Sequence, residues 1–193
     1  MSLAAPDPGR RVLLGGALAL GGSLSLGSLA AAQDKAPTID TSPGKHVLRH
    51  GLSGVRVGCA TDSRGPTGCT VIEFPTRALV VADLRGGAPV TSGPEVVKDR
   101  GGRLDAICLA GGSLYGLEAA CGVASQLFAR RKGATSWDEI ALVAGAVIYD
   151  FGLRKTSHVP SAAMGRAALE VAKAGVVPLG GRGAGAEASV GKW

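Results

Sequence analysis

The stretch from Asp105 to Gly122 (DAICLAGGSLYGLEAACG) sets two polar side chains, Ser113 and Tyr115, on a glycine turn between an apolar run and a helical pattern. Strand, tight turn and helix N-terminus in that order commonly hold a substrate group, because backbone N–H groups converge there. Several chemistries compete for the turn. A dinucleotide site needs G-x-G-x-x-G and an acid about twenty residues on. Gly111-Gly112-Ser113-Leu114-Tyr115-Gly116 fails the first half, and Asp138 has no clear strand before it. A serine-hydrolase elbow needs G-x-S-x-G. Here Tyr115 stands where the last glycine belongs, although Ser113, Asp150 and His158 follow the Ser…Asp…His order. A third reading needs no nucleophile in the turn. Its backbone N–H groups would bind a carboxylate or carbonyl oxygen, and the Tyr115 hydroxyl would polarise an acyl oxygen supplied to a nucleophile from elsewhere.

Plainer readings stand beside these. His158, next to Val159-Pro160, reads as a loop histidine, and Tyr115 equally as a half-buried tyrosine bonded to backbone. The four cysteines, Cys59, Cys69, Cys108 and Cys121, show no CxxC spacing, so a zinc site is unsupported, and no metal or organic cofactor is implied. Cys108 lies in an apolar run and Cys121 on an apolar helix face, which predicts buried free thiols. Cys59 and Cys69 could pair only if their strands are neighbours.

The formal charge is +6 over 193 residues, with basic clusters at Arg130-Arg131-Lys132 and Arg154-Lys155. Neither is interleaved with aromatics, so both read as solvated faces and nucleic-acid binding is disfavoured. Arg10-Arg11, an uncharged glycine-rich stretch and Ala30-Ala31-Ala32 make a secretory signal peptide over residues 1–32, of twin-arginine type. It is too diluted by small residues for a membrane anchor. The mature protein is therefore expected to be exported, periplasmic or secreted, without a membrane segment. Residues 33–45 read as a linker and 46–193 as the folded part.

The composition is 46% apolar but 4% aromatic, with 31 glycines, so the core must be built from Ala, Val, Leu and Ile. No internal repeat is present. Strands are expected at Val55–Ala60, Cys69–Phe74, Ala78–Leu84, Leu104–Leu109 and Ala146–Phe151. Residues 90–103 read as a loop. Leu114, Leu117, Cys121, Ala124 and Phe128 form a helical stripe closed by Gly133. Ser161 caps a helix to about Ala174. Early strands and later helices predict a layered α/β domain.

The blocks Gly65–Val71, Asp83–Ala88, Asp105–Ala119, Ala146–Phe151, Gly165–Ala168 and Gly183–Gly185 with Gly191-Lys192 resemble, in order, the DmpA-like self-processing peptidases. That family comprises L-aminopeptidase/D-esterases, β-peptidyl aminopeptidases and nylon-oligomer hydrolases. Ile148–Phe151 and Gly165–Glu170 are similar to the nylon-oligomer branch. The resemblance implies an αββα four-layer sandwich of N-terminal-nucleophile type. It implies a precursor that cuts itself, the new N-terminal Ser or Thr attacking the substrate and its own α-amine serving as base. It also implies a C-terminal β subunit as partner and a homo-oligomer of αβ units. Tyr115 matches a tyrosine that assists the acyl oxygen, Gly111, Gly112 and Ser113 would shape the substrate pocket, and Lys192 is a further substrate-binding candidate. Family members carry Asn in a Gly-Asn-Val-Gly-Ala-Gly segment. Here Gly180-Gly181-Arg182-Gly183-Ala184-Gly185 has none, so no oxyanion asparagine carries over. The nucleophile is expected beyond Trp193, which would leave this chain inactive alone. The rival readings are a non-catalytic α/β module binding an anion at Gly111-Gly112, and a serine hydrolase acting through Ser113.

Overall fold

The computed structural model describes residues 38–85, 89–93, 102–152 and 154–190. The signal segment, part of the 33–45 stretch and Lys192 lie outside them.

The described strands are β1 (Ile39–Asp40), β2 (Val47–Arg49), β3 (Arg56–Asp62), β4 (Thr67–Leu79), β5 (Thr91–Ser92), β6 (Arg103–Ala110), β7 (Val143–Val147), β8 (Lys173–Ala174) and β9 (Val176–Pro178). The helices are α1 (Leu117–Arg130) and α2 (Ala162–Glu170). One mixed sheet runs in the order β1-β3-β4-β6-β7-β5, with β8 also pairing β3, while β2 and β9 form a separate ribbon. Among the described strands only β6 and β7 pair in parallel, and the helix α1 makes the crossover between them. β6 is central and apolar on both faces, as its sequence predicts.

Alternation along the paired strands sorts the two faces of the sheet. Ala60, Cys69, Val71, Ala106, Cys108 and Ala110 point at the helices and join Ala119, Ala120, Val123, Leu127, Met164, Ala168 and Leu169 in one buried cluster. The opposite face carries Ile72, Phe74, Ile107, Leu109, Ala144 and Ala146, all half-buried. The short turn Gly183–Gly185 covers one end of that face, over Thr61 and Thr70.

The helical period of α1 was legible but its buried side was not. Ala119, Ala120, Gly122, Val123 and Leu127 are inside, whereas Leu114, Cys121 and Phe128 are exposed. Close approach explains the rotation. A Cβ on Gly122 would overlap the Ala162 carbonyl oxygen, and one on Gly165 would overlap that of Ala119. The two helices thus cross at a distance only small residues allow, and the larger apolar side chains are turned outward.

Several boundaries moved for equally local reasons. Pro75 does not end its strand. β4 continues to Leu79 across a register shift between Glu73 and Ala78, which removes the proline from the hydrogen-bonding ladder. The expected strand Ala78–Leu84 is therefore only the tail of β4. The fifth strand is Val143–Val147 rather than Ala146–Phe151, because Asp150 is drawn into the interior beside the glycine turn. Thr91–Ser92 pairs β7 inside the stretch read as a loop. α2 stops at Glu170, and Lys173–Ala174 pairs β3. Ser161 caps α2 by accepting from Met164 N at 3.5 Å, as expected. Ile39–Asp40 pairs Asp62–Thr61, so that part of the 33–45 stretch is sheet.

The basic run after α1 is not simply solvated. Arg130 donates to the buried Glu73 at 2.9 Å, and Arg131 and Arg77 both reach the buried Asp105. All four cysteines are free. Cys59 and Cys69 sit on adjacent strands, but Cys59 is opposite Thr70 and Cys69 opposite Ala60, so they face opposite sides of the sheet. A hydrogen bond with Cys108, and then burial, push the Cys69 thiol well above its ordinary range, and burial raises Cys59.

Two outcomes follow from this packing. Gly165→Ala should destabilise by about 1–3 kcal/mol in urea unfolding, since backbone rather than a flexible side chain must move. In native protein at pH 8, Cys121 should be the thiol that reacts with a disulfide reagent, and Cys59, Cys69 and Cys108 should react only on unfolding.

Candidate active site

The glycine turn caps the C-terminal end of β6. Gly111 N donates to Gly68 O at 2.9 Å, Gly112 N to Asp150 Oδ1 at 2.9 Å and Ser113 N to Ile148 O at 3.0 Å. These donors are therefore engaged within the chain. The anion nest considered from sequence cannot use them, and the turn can shape a pocket only through its surface and side chains. Gly111 is required by crowding. A Cβ there would collide with the Asp150 carboxylate and lie 2.7 Å from Thr67 Oγ1. Gly112 has φ +79° and Ser113 φ +52°, the second an uncommon conformation for a residue with a side chain. Residues Ser113–Gly116 form a 3-10 turn that feeds directly into α1, and Tyr115 is carried on it with 68% of its surface exposed.

Beneath the turn lies a buried ionic clasp. Asp150 Oδ1 accepts from Gly112 N and from Arg154 Nη2 at 3.0 Å, and Oδ2 accepts from Thr67 Oγ1 at 3.1 Å. The Arg154 side chain is 0% exposed and that of Asp150 3%. Arg154 Nη1 also donates to the carbonyls of Gly65 (3.2 Å) and His158. Its Nε has no hydrogen-bond partner among the described residues, but Cζ lies 4.2 Å from the centroid of the Phe151 ring, a cation–π contact in a dry setting. Phe151 meets Tyr115 edge-on at 6.5 Å between centroids and Tyr149 at 5.9 Å. Arg154 is thus an interior counter-ion, not part of a solvated Arg154-Lys155 face.

This arrangement separates the members of the Ser113–Asp150–His158 set. Asp150 is saturated by Gly112, Thr67 and Arg154. His158 Nδ1 instead faces Asp62 Oδ2 at 3.5 Å. Asp62 is held below the usual carboxylate range chiefly by the side-chain hydrogen bond from Arg64, which outweighs its burial. Ser113 accordingly has no aspartate–histidine relay assembled behind it.

The second glycine segment comes to the same end of the sheet. Gly183 N donates to Thr61 Oγ1 at 2.9 Å and Ala184 N to Thr70 Oγ1 at 3.2 Å. Gly68, which receives Gly111 N, has no room for a Cβ against the Gly183 carbonyl. The β4 start thus carries one glycine turn on each side. In the segment to which no asparagine carries over, Arg182 bonds to Asp40.

Gly111, Gly112, Ser113 and Tyr115 are brought together on one turn, while Lys192 lies outside the described residues. Thr67, Arg154 and Phe151 were missed as site residues. The i,i+4 spacing of Asp150 and Arg154 was the available signal, but on a loop it carries no weight without knowledge that both are buried.

The Asp40 carboxyl is held at about 2, first by the Ser42 backbone N–H and then by Arg182. A depressed carboxylate stabilises the fold above its unfolded value of about 4, and that contribution disappears as pH falls toward 2. Thermal melts between about pH 5 and pH 2 should therefore show an acid-dependent loss that is shallower in Asp40→Asn. Parallel acid limbs would show that Asp40 does not hold the Gly180–Gly185 segment electrostatically.

The model of peptidase family S58 matches residues 51–193. The 6-aminohexanoate-oligomer endohydrolase of Paenarthrobacter ureafaciens is 47% identical over 161 residues, covering 83% of this chain and 43% of that protein. An uncharacterised aminopeptidase of Mycobacterium bovis is 38% identical over 152 residues, covering 72% of this chain and 44% of that protein. The crystal structure of the PH0078 protein from Pyrococcus horikoshii OT3 superposes with a TM-score of 0.60 at 20% identity, over 72% of this chain and 44% of that one, and so shares the fold. The chain spans less than half the length of these curated relatives. With a family match that takes in β3 to β9, both helices and both glycine turns, the chain belongs to peptidase family S58.

Proposed function

We propose that this chain is the N-terminal part of an exported amide hydrolase of the self-cleaving N-terminal-nucleophile type. Its substrates are short peptides with a free amino end, β-peptides or ω-amino-acid oligomers. The hydroxyl of a Ser or Thr beyond Trp193, deprotonated by its own α-amine, attacks the amide carbonyl. The C–N bond breaks, the amine leaves with the proton, and water then hydrolyses the acyl ester. Tyr115 donates a hydrogen bond to the acyl oxygen as charge develops on it. Gly111, Gly112 and Ser113 wall the pocket, and Lys192 is a further substrate contact. No step requires a metal or organic cofactor.

The observation that carries this reading is the turn itself. It presents an exposed Tyr115 beside a buried Asp150, while Asp150 and His158, the candidate partners of Ser113, are engaged by Gly112 and Asp62. Family membership supports amide chemistry, and the names of the relatives support both the oligomer and the aminopeptidase substrate classes. The half-buried apolar face of the sheet supports a C-terminal subunit as the layer that completes the αββα sandwich. The αβ units assemble further into a homo-oligomer. The Arg10-Arg11 signal pattern supports export.

In the full-length protein, Tyr115→Phe should lower kcat by about 10–100-fold, the effect expected for one lost donor to a developing oxyanion. Ser113→Ala should keep activity within about 3-fold. Loss of turnover in Ser113→Ala with full turnover in Tyr115→Phe would reverse the assignment. Intact-mass measurement of the purified protein should show two chains from one gene product, and a single uncut active chain would contradict self-processing.

A further inference from the structure

We infer that Asp150 is the positioning residue for Tyr115, acting from below the turn and, through Arg154 and Phe151, from beside the ring. The inference rests on the reading that Tyr115 serves the acyl oxygen.

Tyr115 is exposed on a short 3-10 turn, so the place of its ring depends on the few contacts it does make. A donor contributes to transition-state stabilisation only if its place is fixed before the reaction. Two restraints converge on it. The first is backbone: Asp150 Oδ1 accepts from Gly112 N, three residues before Tyr115, and so fixes where the turn begins. The second is lateral: the edge of the Phe151 contact limits the Tyr115 ring at 6.5 Å. Phe151 is in turn held by the Arg154 guanidinium 4.2 Å above its face. Arg154 is oriented by Asp150 at 3.0 Å and by the Gly65 and His158 carbonyls. One carboxylate therefore sets both the backbone and the ring position of the tyrosine. Thr67 Oγ1 fills the second oxygen of Asp150, which locks the carboxylate plane without touching Tyr115. Asp150 itself is buried beneath Gly111 and Gly112, with its carboxylate engaged among the described residues. It acts only through other residues.

The test is a double-mutant cycle in the full-length protein, read as kcat and KM for hydrolysis of 6-aminohexanoate oligomer. Alone, Asp150→Asn should lower kcat about 10-fold or more with KM within about 3-fold, because it removes placement rather than ground-state binding. In a Tyr115→Phe background the same change should cost less than about 3-fold, since the hydroxyl it positions is already gone. Phe151→Leu keeps the buried ion pair and removes only the ring. It should lower kcat in wild type and not in Tyr115→Phe, which carries the test where Asp150→Asn fails to fold. Equal losses in both backgrounds, for either variant that folds, overturn the positioning role and leave the role of Tyr115 standing. Full kcat in Tyr115→Phe alone overturns the role of Tyr115 itself, and this inference with it.

Discussion

The carboxylate of Asp150 is the point on which the candidate site depends. It joins segments far apart in sequence: the start of β4 through Thr67, the turn after β6 through Gly112, and the loop after β7 through Arg154. With both partners out of water, removing one member leaves an unpaired buried charge, a loss on the order of 3–5 kcal/mol. An exposed pair such as Arg85–Asp83 belongs to the class worth about 0–1 kcal/mol. The comparison does not make the buried pair a net source of stability, since apolar residues of equal volume can do as well. Its contribution is geometric. It specifies one position for a turn that two adjacent glycines would otherwise leave free.

The rest of the fold supplies a rigid frame for that position. The core is assembled from alanine, valine, leucine and cysteine, with Met164 and Leu169 its large fillers on α2. Small residues let α1 and α2 approach closely, and both lie on one face of the sheet. Because α1 begins at Leu117, directly after the tyrosine turn, helix packing and turn position are coupled. A shift of α1 on the sheet would move Tyr115 with it. The C-terminal end of α1 is tied to the sheet by arginines, Arg130 on Glu73 of β4 and Arg131 on Asp105 of β6. These fix the far end of α1 as Asp150 fixes the near one.

Much of this was legible in the sequence, and the failures have physical causes. β-branched and apolar runs marked β3, β4 and β6, Gly133 and Ser161 marked the ends of α1 and the start of α2, and the block around Gly111-Gly112 marked both the turn and the family. The buried side of α1 was misjudged because hydrophobicity ranks Leu114 and Phe128 above Ala119 and Ala120. Close helix contact reverses that order. Pro75 was misjudged because a bulge hid its missing donor. Arg154 reads as a solvated charge in the sequence because burial is a tertiary property, and Asp150 reads there only as a triad member. The structure turned its carboxylate toward backbone instead of histidine. The turn N–H groups were expected to face a ligand, but strand and loop carbonyls and Asp150 claimed them first.

The central claim is that the Gly111–Tyr115 turn receives an acyl group whose nucleophile lies elsewhere. The most direct measurement is to quench the full-length protein during turnover of a slowly deacylated ester and locate the acyl adduct by peptide mass spectrometry. The account predicts the adduct on a Ser or Thr at the N-terminus of a C-terminal fragment beyond Trp193. An adduct on Ser113 would contradict it.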